Sequence, residues 1–123
     1  MMAMNLRYVR NMDVQREILK KARQALVQTA HEVRADLQAS GTMPFESGHL
    51  QNEATYVCEA RVKQDMVAVV SDTAYARRKF FHPEFNFDRR VNKRAGGRWL
   101  DAYTVGVKRN FVRDAFARMI GAR

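Results

Sequence analysis

From Val14 to Leu37 the apolar residues recur at steps of three and four: Val14, Ile18, Ala22, Ala25, Leu26, Val33 and Leu37, with Thr29 in the same series. That spacing keeps them on one face of an α-helix. Gln15, Arg16, Lys20, Gln24, Gln28 and Glu32 fall on the other faces. The pattern predicts a helix over 13–39. Asn11 or Asp13 offers an oxygen to its first free amides. Ser40 and Gly41 supply the stop, because glycine takes left-handed backbone without a Cβ clash. Residues 1–12, rich in Met, Arg and Asn, read as a flexible arm.

The period then changes. In 40–52, SGTMPFESGHLQN, Pro44 fixes its own backbone and pushes Met43 towards an extended form, and Gly48 breaks the chain again. This is a loop, with room for a helical turn from Ser47 to Asn52. Residues 53–63 alternate. Ala54, Tyr56, Cys58, Ala60 and Val62 share one face, and Thr55, Val57, Glu59, Arg61 and Lys63 the other. Met66 to Ser71 reads as a second strand. Gln64 and Asp65 between them predict a two-residue hairpin turn, although neither is glycine.

Residues 72–96 have no clear period. Tyr75, Phe80, Phe81, Phe85 and Phe87 stand among Arg77, Arg78, Lys79, Arg89, Arg90, Lys93 and Arg94. Pro83, Asn92, Gly96 and Gly97 mark an extended aromatic and basic loop over about 80–97, with a short strand expected near 86–90. A second helix is expected over 98–119. There Trp99, Tyr103, Val107, Phe111, Ala115 and Met119 repeat every four residues, widened by Leu100, Val112, Phe116 and Ile120. Gly106 inside it costs about 1 kcal/mol relative to alanine and so marks a close backbone contact. Two helices over a small antiparallel hairpin make an α+β domain over 13–120, since a lone hairpin needs cover for its apolar face.

Composition adds charge and removes several classes. The 123 residues carry a net charge of +9, placed unevenly: +3 over 1–40, −3 over 41–75 and +9 over 76–123. Such asymmetry points to a partner: nucleic acid, a membrane surface or an acidic protein face. Cys58 is the only cysteine, which excludes a disulfide scaffold. The longest apolar run, Met66 to Val70, is far short of the roughly 20 residues that span a bilayer, so no membrane partner is expected. The opening MMAMNLRYVRNM lacks the apolar region of a secretory signal.

Catalytic chemistry finds no support in the pattern. His31, His49 and His82 have no further ligand at metal spacing. His82 and Glu84 in FHPEF are an acid–base pair in sequence only. Cys58 reads as a small buried hydrophobe, with nothing near it to lower its pKa. Ser47 in ESGH lacks the glycines of a nucleophile elbow, and Gly96-Gly97 is too short for a phosphate loop. The expectation is no enzyme, no cofactor and no metal. Basic residues interleaved with rings, as in 75–94, do suit a single-stranded nucleic-acid groove. Phenylalanines that complete the core, ringed by arginines, are the plainer account.

Three segments resemble one family. MPFESGHLQNEA (43–54) resembles the P-x-[DE]-[ST]-G-x-L signature of tailed-phage neck, minor capsid and tail-completion proteins, through Pro44, Glu46, Ser47, Gly48 and Leu50. VVSDTAYARRKFFHP (69–83) resembles the family's strand and following Tyr-Ala segment, through Tyr75, Ala76, Phe80 and Phe81. AGGRWLDAY (95–103) resembles the opening of its last helix, through Ala95, Trp99 and Leu100. The order long helix, G-x-L loop, hairpin, Tyr-Ala segment and Trp-led helix covers nearly the whole chain. The basic excess near the C-terminus and the FNFDRR insert depart from the pattern.

The resemblance implies a structural subunit of a phage head-to-tail connector, in a virion assembled in the bacterial cytoplasm. It implies a homo-oligomeric ring of, for example, six or twelve copies. Its neighbours would be portal, adaptor or stopper proteins and a tail terminator or tail-tube protein, with channel DNA as a further candidate. A ring needs two complementary faces. The acidic middle (Glu46, Glu53, Glu59, Asp65, Asp72) and the basic C-terminal half offer them. Candidate assembly residues are Glu46, Glu53, Phe80, Phe81, Phe85, Phe87, Arg89, Arg90, Lys93 and Arg94. Pro44, Gly48, Leu50, Tyr75 and Trp99 carry the fold signature. A small basic nucleic-acid-binding module is the alternative, and a small nuclease would need His82 and Glu84 in one polar cleft.

Overall fold

Asn11 opens the first helix as a side-chain cap. Its Oδ1 accepts from the amides of Asp13 and Val14, both at 3.1 Å. In the computed structural model, which describes residues 2–6, 11–45 and 47–121, helix α1 runs Met12–Ser40 and ends on Gly41 at φ 69°. At about 1.5 Å per residue it is about 43 Å long. Its buried positions are Ala25, Thr29, Ala30, Val33 and Leu37, all in the C-terminal half. Three of these five are small or short, so other elements approach closely. Thr29 is tolerated there because its hydroxyl donates to the Ala25 carbonyl at 2.7 Å.

The hairpin is shorter than its sequence pattern. Strand β1, Thr55–Cys58, pairs antiparallel with β2, Ala68–Ser71, in the register Thr55↔Ser71, Tyr56↔Val70, Val57↔Val69 and Cys58↔Ala68. The two-residue turn at Gln64-Asp65 is not formed. Residues 59–67 make a longer connection with a 3-10 turn, Val62–Gln64, closed by Asp65 at φ 60°. A two-residue hairpin turn favours Asn-Gly or Gly, and this chain has neither there. Arg23 of α1 holds the connection, through Asp65 Oδ1 and the Lys63 carbonyl, both at 2.9 Å.

The burial phase is also opposite to the expected one. Thr55 is fully buried and Tyr56 is exposed. Thr55 can point inward because its hydroxyl donates to the Leu50 carbonyl at 2.7 Å and lies 2.9 Å from the Ser71 hydroxyl. Ala54 is buried too, but its backbone is helical, so the alternation does not extend back to it. It closes a short π-helical turn, His49–Glu53, which follows Gly48 at φ 84°.

The last third differs most. A short helix α2, Ala76–Phe81, occupies part of the segment without a period, and no strand forms at 86–90. The single helix expected over 98–119 is divided into a 3-10 turn, Asp101–Tyr103, and helix α3, Phe111–Met119. Gly106 marks the fold-back between them. A Cβ there would lie 2.7 Å from the Ala102 Cα, so the close contact inferred at Gly106 is present while the continuous helix is not. Val107, counted in the apolar stripe, is 97% exposed.

The core forms where these pieces meet. Val33 and Leu37 of α1 pack with Met43, Leu50, Ala54, Ala76, Trp99 and Tyr103, and Val69, Phe80, Leu100, Ala102 and Phe111 lean on that cluster. Among the described residues, three α-helices and one two-stranded antiparallel sheet make an α+β fold.

Candidate interaction surfaces

Two regions of the surface carry features that the core does not explain. The first is the N-terminal half of α1. The stripe buried from Ala25 to Leu37 continues backward by helical spacing through Ile18 and Val14, but there no described residue covers it. Ile18 is 58% exposed and Val14 51%, with Met12 and Leu19 beside them. The described part of the arm, residues 2–6, forms neither helix nor strand, and its Met2, Met4 and Leu6 are exposed.

The second region is built from α2 and the irregular segment 82–98. The Arg98 amide donates to the Phe80 carbonyl at 2.9 Å, and Gly97 lies against the backbone of Lys79, Phe80 and Pro83. Further along, the Arg94 amide donates to the Gly41 carbonyl and the Gly96 amide to Thr42. Asn92 is buried between them and donates to the Met43 carbonyl at 2.9 Å and to Gln51 Oε1 at 2.6 Å. In sequence Asn92 reads only as a loop marker. Its side chain is in fact the polar pin that ties the basic segment to the 41–51 loop.

The aromatic residues divide between core and surface. Phe87 is buried at 7% exposure, so its ring completes the chain's own interior and is withdrawn from the candidate contact set. Phe80 leans on the core, with its ring edge-to-face to Trp99 at 5.0 Å and to Phe81 at 5.1 Å. Phe81 is 54% exposed. Phe85 is half-buried, stacked on His82 at 4.8 Å, with the Arg78 guanidinium 5.5 Å from its ring centre. Arg98 lies 5.6 Å from both Phe80 and Phe81.

Among the candidate charged residues, Arg89, Lys93 and Arg94 are exposed. Arg90 is tied to Asp88, the shortest contact being 2.6 Å from Nη2 to Oδ2. Those hydrogen bonds hold the half-buried Asp88 carboxyl down at about 2. Glu53 is exposed and lies 3.0 Å from His49 Nδ1. Glu46 lies outside the described residues, as do residues 1 and 7–10 of the arm. Of the signature residues, Pro44, Gly48, Leu50 and Trp99 are buried, and Tyr75 is exposed beneath Lys79.

His82 Nδ1 and Glu84 Oε1 meet at 2.7 Å, but both side chains are about half exposed or more. Among the described residues, no three His, Cys, Asp or Glu side chains cluster as a metal site, and no helix is long and apolar enough to cross a membrane. Cys58 is half-buried.

A polar group that sequence reasoning missed joins the last third to α1. Asp36 Oδ2 accepts from the Tyr103 hydroxyl and from Lys108 Nζ, both at 2.6 Å. Burial pushes the Asp36 carboxyl up, but the hydrogen bonds from Lys108 and Tyr103 outweigh it and leave the pKa below its ordinary value. Burial, then the Asp36 partner, push the Tyr103 phenol well above its usual range. A depressed carboxyl adds stability that is present above its unfolded pKa of about 3.9 and lost as pH falls through the lower folded value. Asp36→Asn is therefore expected to lower stability by about 1–2 kcal/mol at pH 7. In urea titrations the gap between variant and parent should close below about pH 4. An equal gap at pH 3 and pH 7 would count against the pairing.

No protein-family model, curated protein or solved structure matches this chain.

Proposed function

We propose that this chain is a structural subunit of the head-to-tail connector of a tailed phage, prophage or phage-like particle. In this reading it assembles as a closed homo-oligomeric ring between portal and tail proteins in the virion, and it performs no catalysis. The observation that carries the reading is an unfinished apolar surface. The α1 stripe that is covered from Ala25 to Leu37 runs on uncovered through Ile18 and Val14. A monomer rarely leaves such a stripe open, and a neighbouring subunit is the natural cover. A ring joins two different faces of the same subunit, so one patch need not match itself.

Other features agree with it. The arm carries the exposed apolar side chains Met2, Met4 and Leu6 outside any helix or strand, and such a segment docks on a neighbour and orders there. Exposed Glu53, Glu59 and Asp72 and the basic 76–98 segment supply charges of opposite sign for register. The resemblance of 43–54, 69–83 and 95–103 to neck proteins gives the assembly its biological setting.

Mass by light scattering tests this directly. The expected result is a discrete multimer, alone or with a portal or tail partner. Ile18→Glu would place a charge in the contact and is expected to weaken assembly by at least about tenfold. Because Ile18 is exposed in the single chain, the variant's thermal midpoint as a monomer should not move. A chain that stays monomeric alone and with such partners, or an Ile18→Glu variant that assembles as well as the parent, would overturn the proposal.

A further inference from the structure

The cations of this protein differ in their partners. Three that join elements of the fold are paired with carboxylates, Arg23 with Asp65, Lys108 with Asp36, and Arg118 with Glu32, and Arg34 joins them through the Asn52 and Thr55 carbonyls. Those of α2 and the adjoining loop are different. The segment 76–98 carries eight basic residues and two acidic ones. Both acidic residues are engaged locally, Asp88 by Arg90 and Glu84 by His82. Arg98 takes Asp101 from outside the segment. Arg77, Arg78, Arg89, Lys93 and Arg94 are all exposed, and among the described residues none has a carboxylate within ion-pair distance.

We infer that this segment is a binding surface for the phosphate backbone of nucleic acid. A set of like charges with no internal partner repels itself, and a polyanion relieves that repulsion while its own counterions are released. Four of the five free cations are arginines, whose planar fork suits phosphate oxygens. Arg78 is backed by the Phe85 ring, and Phe85 is itself stacked on His82. Such backing fixes the guanidinium plane and leaves its N–H edge free.

The same contacts decide what the surface reads. Phe80 and Phe81 lie near Arg98, and Phe85 lies between His82 and Arg78, so these rings are already in use. Base stacking is not the main contact. No helix of a length suited to a major groove is presented here, since α2 has six residues. The contact is therefore with phosphates and is independent of sequence.

The segment can present this surface because its backbone is held at both ends. Arg98 is tied to Phe80, and Asn92, Arg94 and Gly96 are tied to the 41–51 loop. The inference stands apart from the ring, which concerns the α1 stripe.

The test is fluorescence anisotropy with a fluorescein-labelled duplex of about 20 base pairs, between 50 and 200 mM salt. Neutralising three to five phosphates predicts that log K falls against log salt with a slope of about −3 to −4.5. Arg77→Gln with Arg78→Gln should make the slope shallower by about 2, and so should Arg89→Gln with Lys93→Gln. Arg61→Gln with Lys63→Gln removes the same charge from the β1–β2 connection and should leave the slope unchanged. Circular dichroism checks that each variant is folded, and the two segment pairs are independent of each other.

Three outcomes would overturn the inference: no binding at 50 mM salt, an equal loss in all three pairs, or competition by polyglutamate as effective as unlabelled DNA at equal charge. The last would make the partner an acidic protein face. Mass measured without DNA reports on the ring separately, so failure of one proposal is distinguishable from failure of the other.

Discussion

Trp99→Ala is expected to lower the stability of the folded chain by about 3–5 kcal/mol. The indole sits at the centre of the core, 4% exposed, between α1, the hairpin and α2. Its ring meets Phe80 edge-to-face at 5.0 Å, and its Nε1–H donates to the Ser71 hydroxyl at 3.3 Å. Truncation removes both contacts and leaves a cavity among core residues of α1, the hairpin and α2, which cannot all collapse inward together. Domains of this size have about 5–15 kcal/mol in total, so the variant should be close to unfolding.

Trp99→Phe keeps a ring against Phe80 and gives up the hydrogen bond, so its expected loss is smaller, about 1–2 kcal/mol. Trp99 is the only tryptophan, so urea melts of the variants should be followed by far-ultraviolet circular dichroism. A loss below 1 kcal/mol for the alanine variant would mean that the ring is not the keystone of this core.

The second large effect is expected at a glycine. In Gly97→Ala the new Cβ would lie 2.9 Å from the Lys79 carbonyl oxygen, 3.0 Å from that of Phe80 and 3.0 Å from the Pro83 Cα. All three neighbours are backbone atoms, so no side chain can swing away. The chain must shift as a whole, which strains the Arg98 amide bond to Phe80 and moves Trp99 two residues later. Overpacking of this kind costs about 1–3 kcal/mol. The reduced freedom of the unfolded chain returns only about 0.4–1 kcal/mol, so the net effect is destabilising.

Gly96→Ala is the control. Its Cβ would meet only the Arg94 carbonyl oxygen, at 3.9 Å, and its stability should stay within about 0.5 kcal/mol of the parent. If the two alanines behaved alike in thermal melts, the close approach at Gly97 would be wrong. Because Gly97 anchors the basic segment on α2, its alanine variant should also weaken any nucleic-acid binding.

These two residues show how unevenly the fold could be read beforehand. Trp99 is a core residue by its type and by its place in an apolar series, and it is buried. Gly97 could be read as a loop residue, but the three backbone atoms that require it lie 14 to 18 residues earlier in the chain. Thr55 is a similar case. Alternation placed it on the polar face, and only the Leu50 carbonyl and the Ser71 hydroxyl make its inward position favourable. At α2 there was too little signal, since six residues are fewer than two helical turns.

The interaction surfaces divide in the same way. The basic and aromatic content of 75–94 is evident from the residues alone. Which of its cations are free is a matter of pairing, and pairing depends on neighbours. Arg90 and Arg98 look like Arg89 and Arg94 in sequence, yet the first two hold carboxylates and the last two do not. Phe87 and Phe81 likewise look alike, and one is buried while the other faces solvent. The uncovered part of α1 was hidden by its own regularity. A stripe of constant helical spacing does not say where the cover ends.

By itself the sequence determined the long capped helix, the presence of a hairpin, the α+β class, the close contact at Gly106 and the uneven charge. Each depends on residues within a few positions of one another, through hydrogen-bond periodicity, capping and backbone sterics. Tertiary structure decided the division of the last helix, the inward turn of Thr55, and the Asp36–Tyr103–Lys108 and Asn92–Gln51 links. The two links join groups tens of residues apart, where burial of one polar atom is favourable only if a distant partner arrives to meet it.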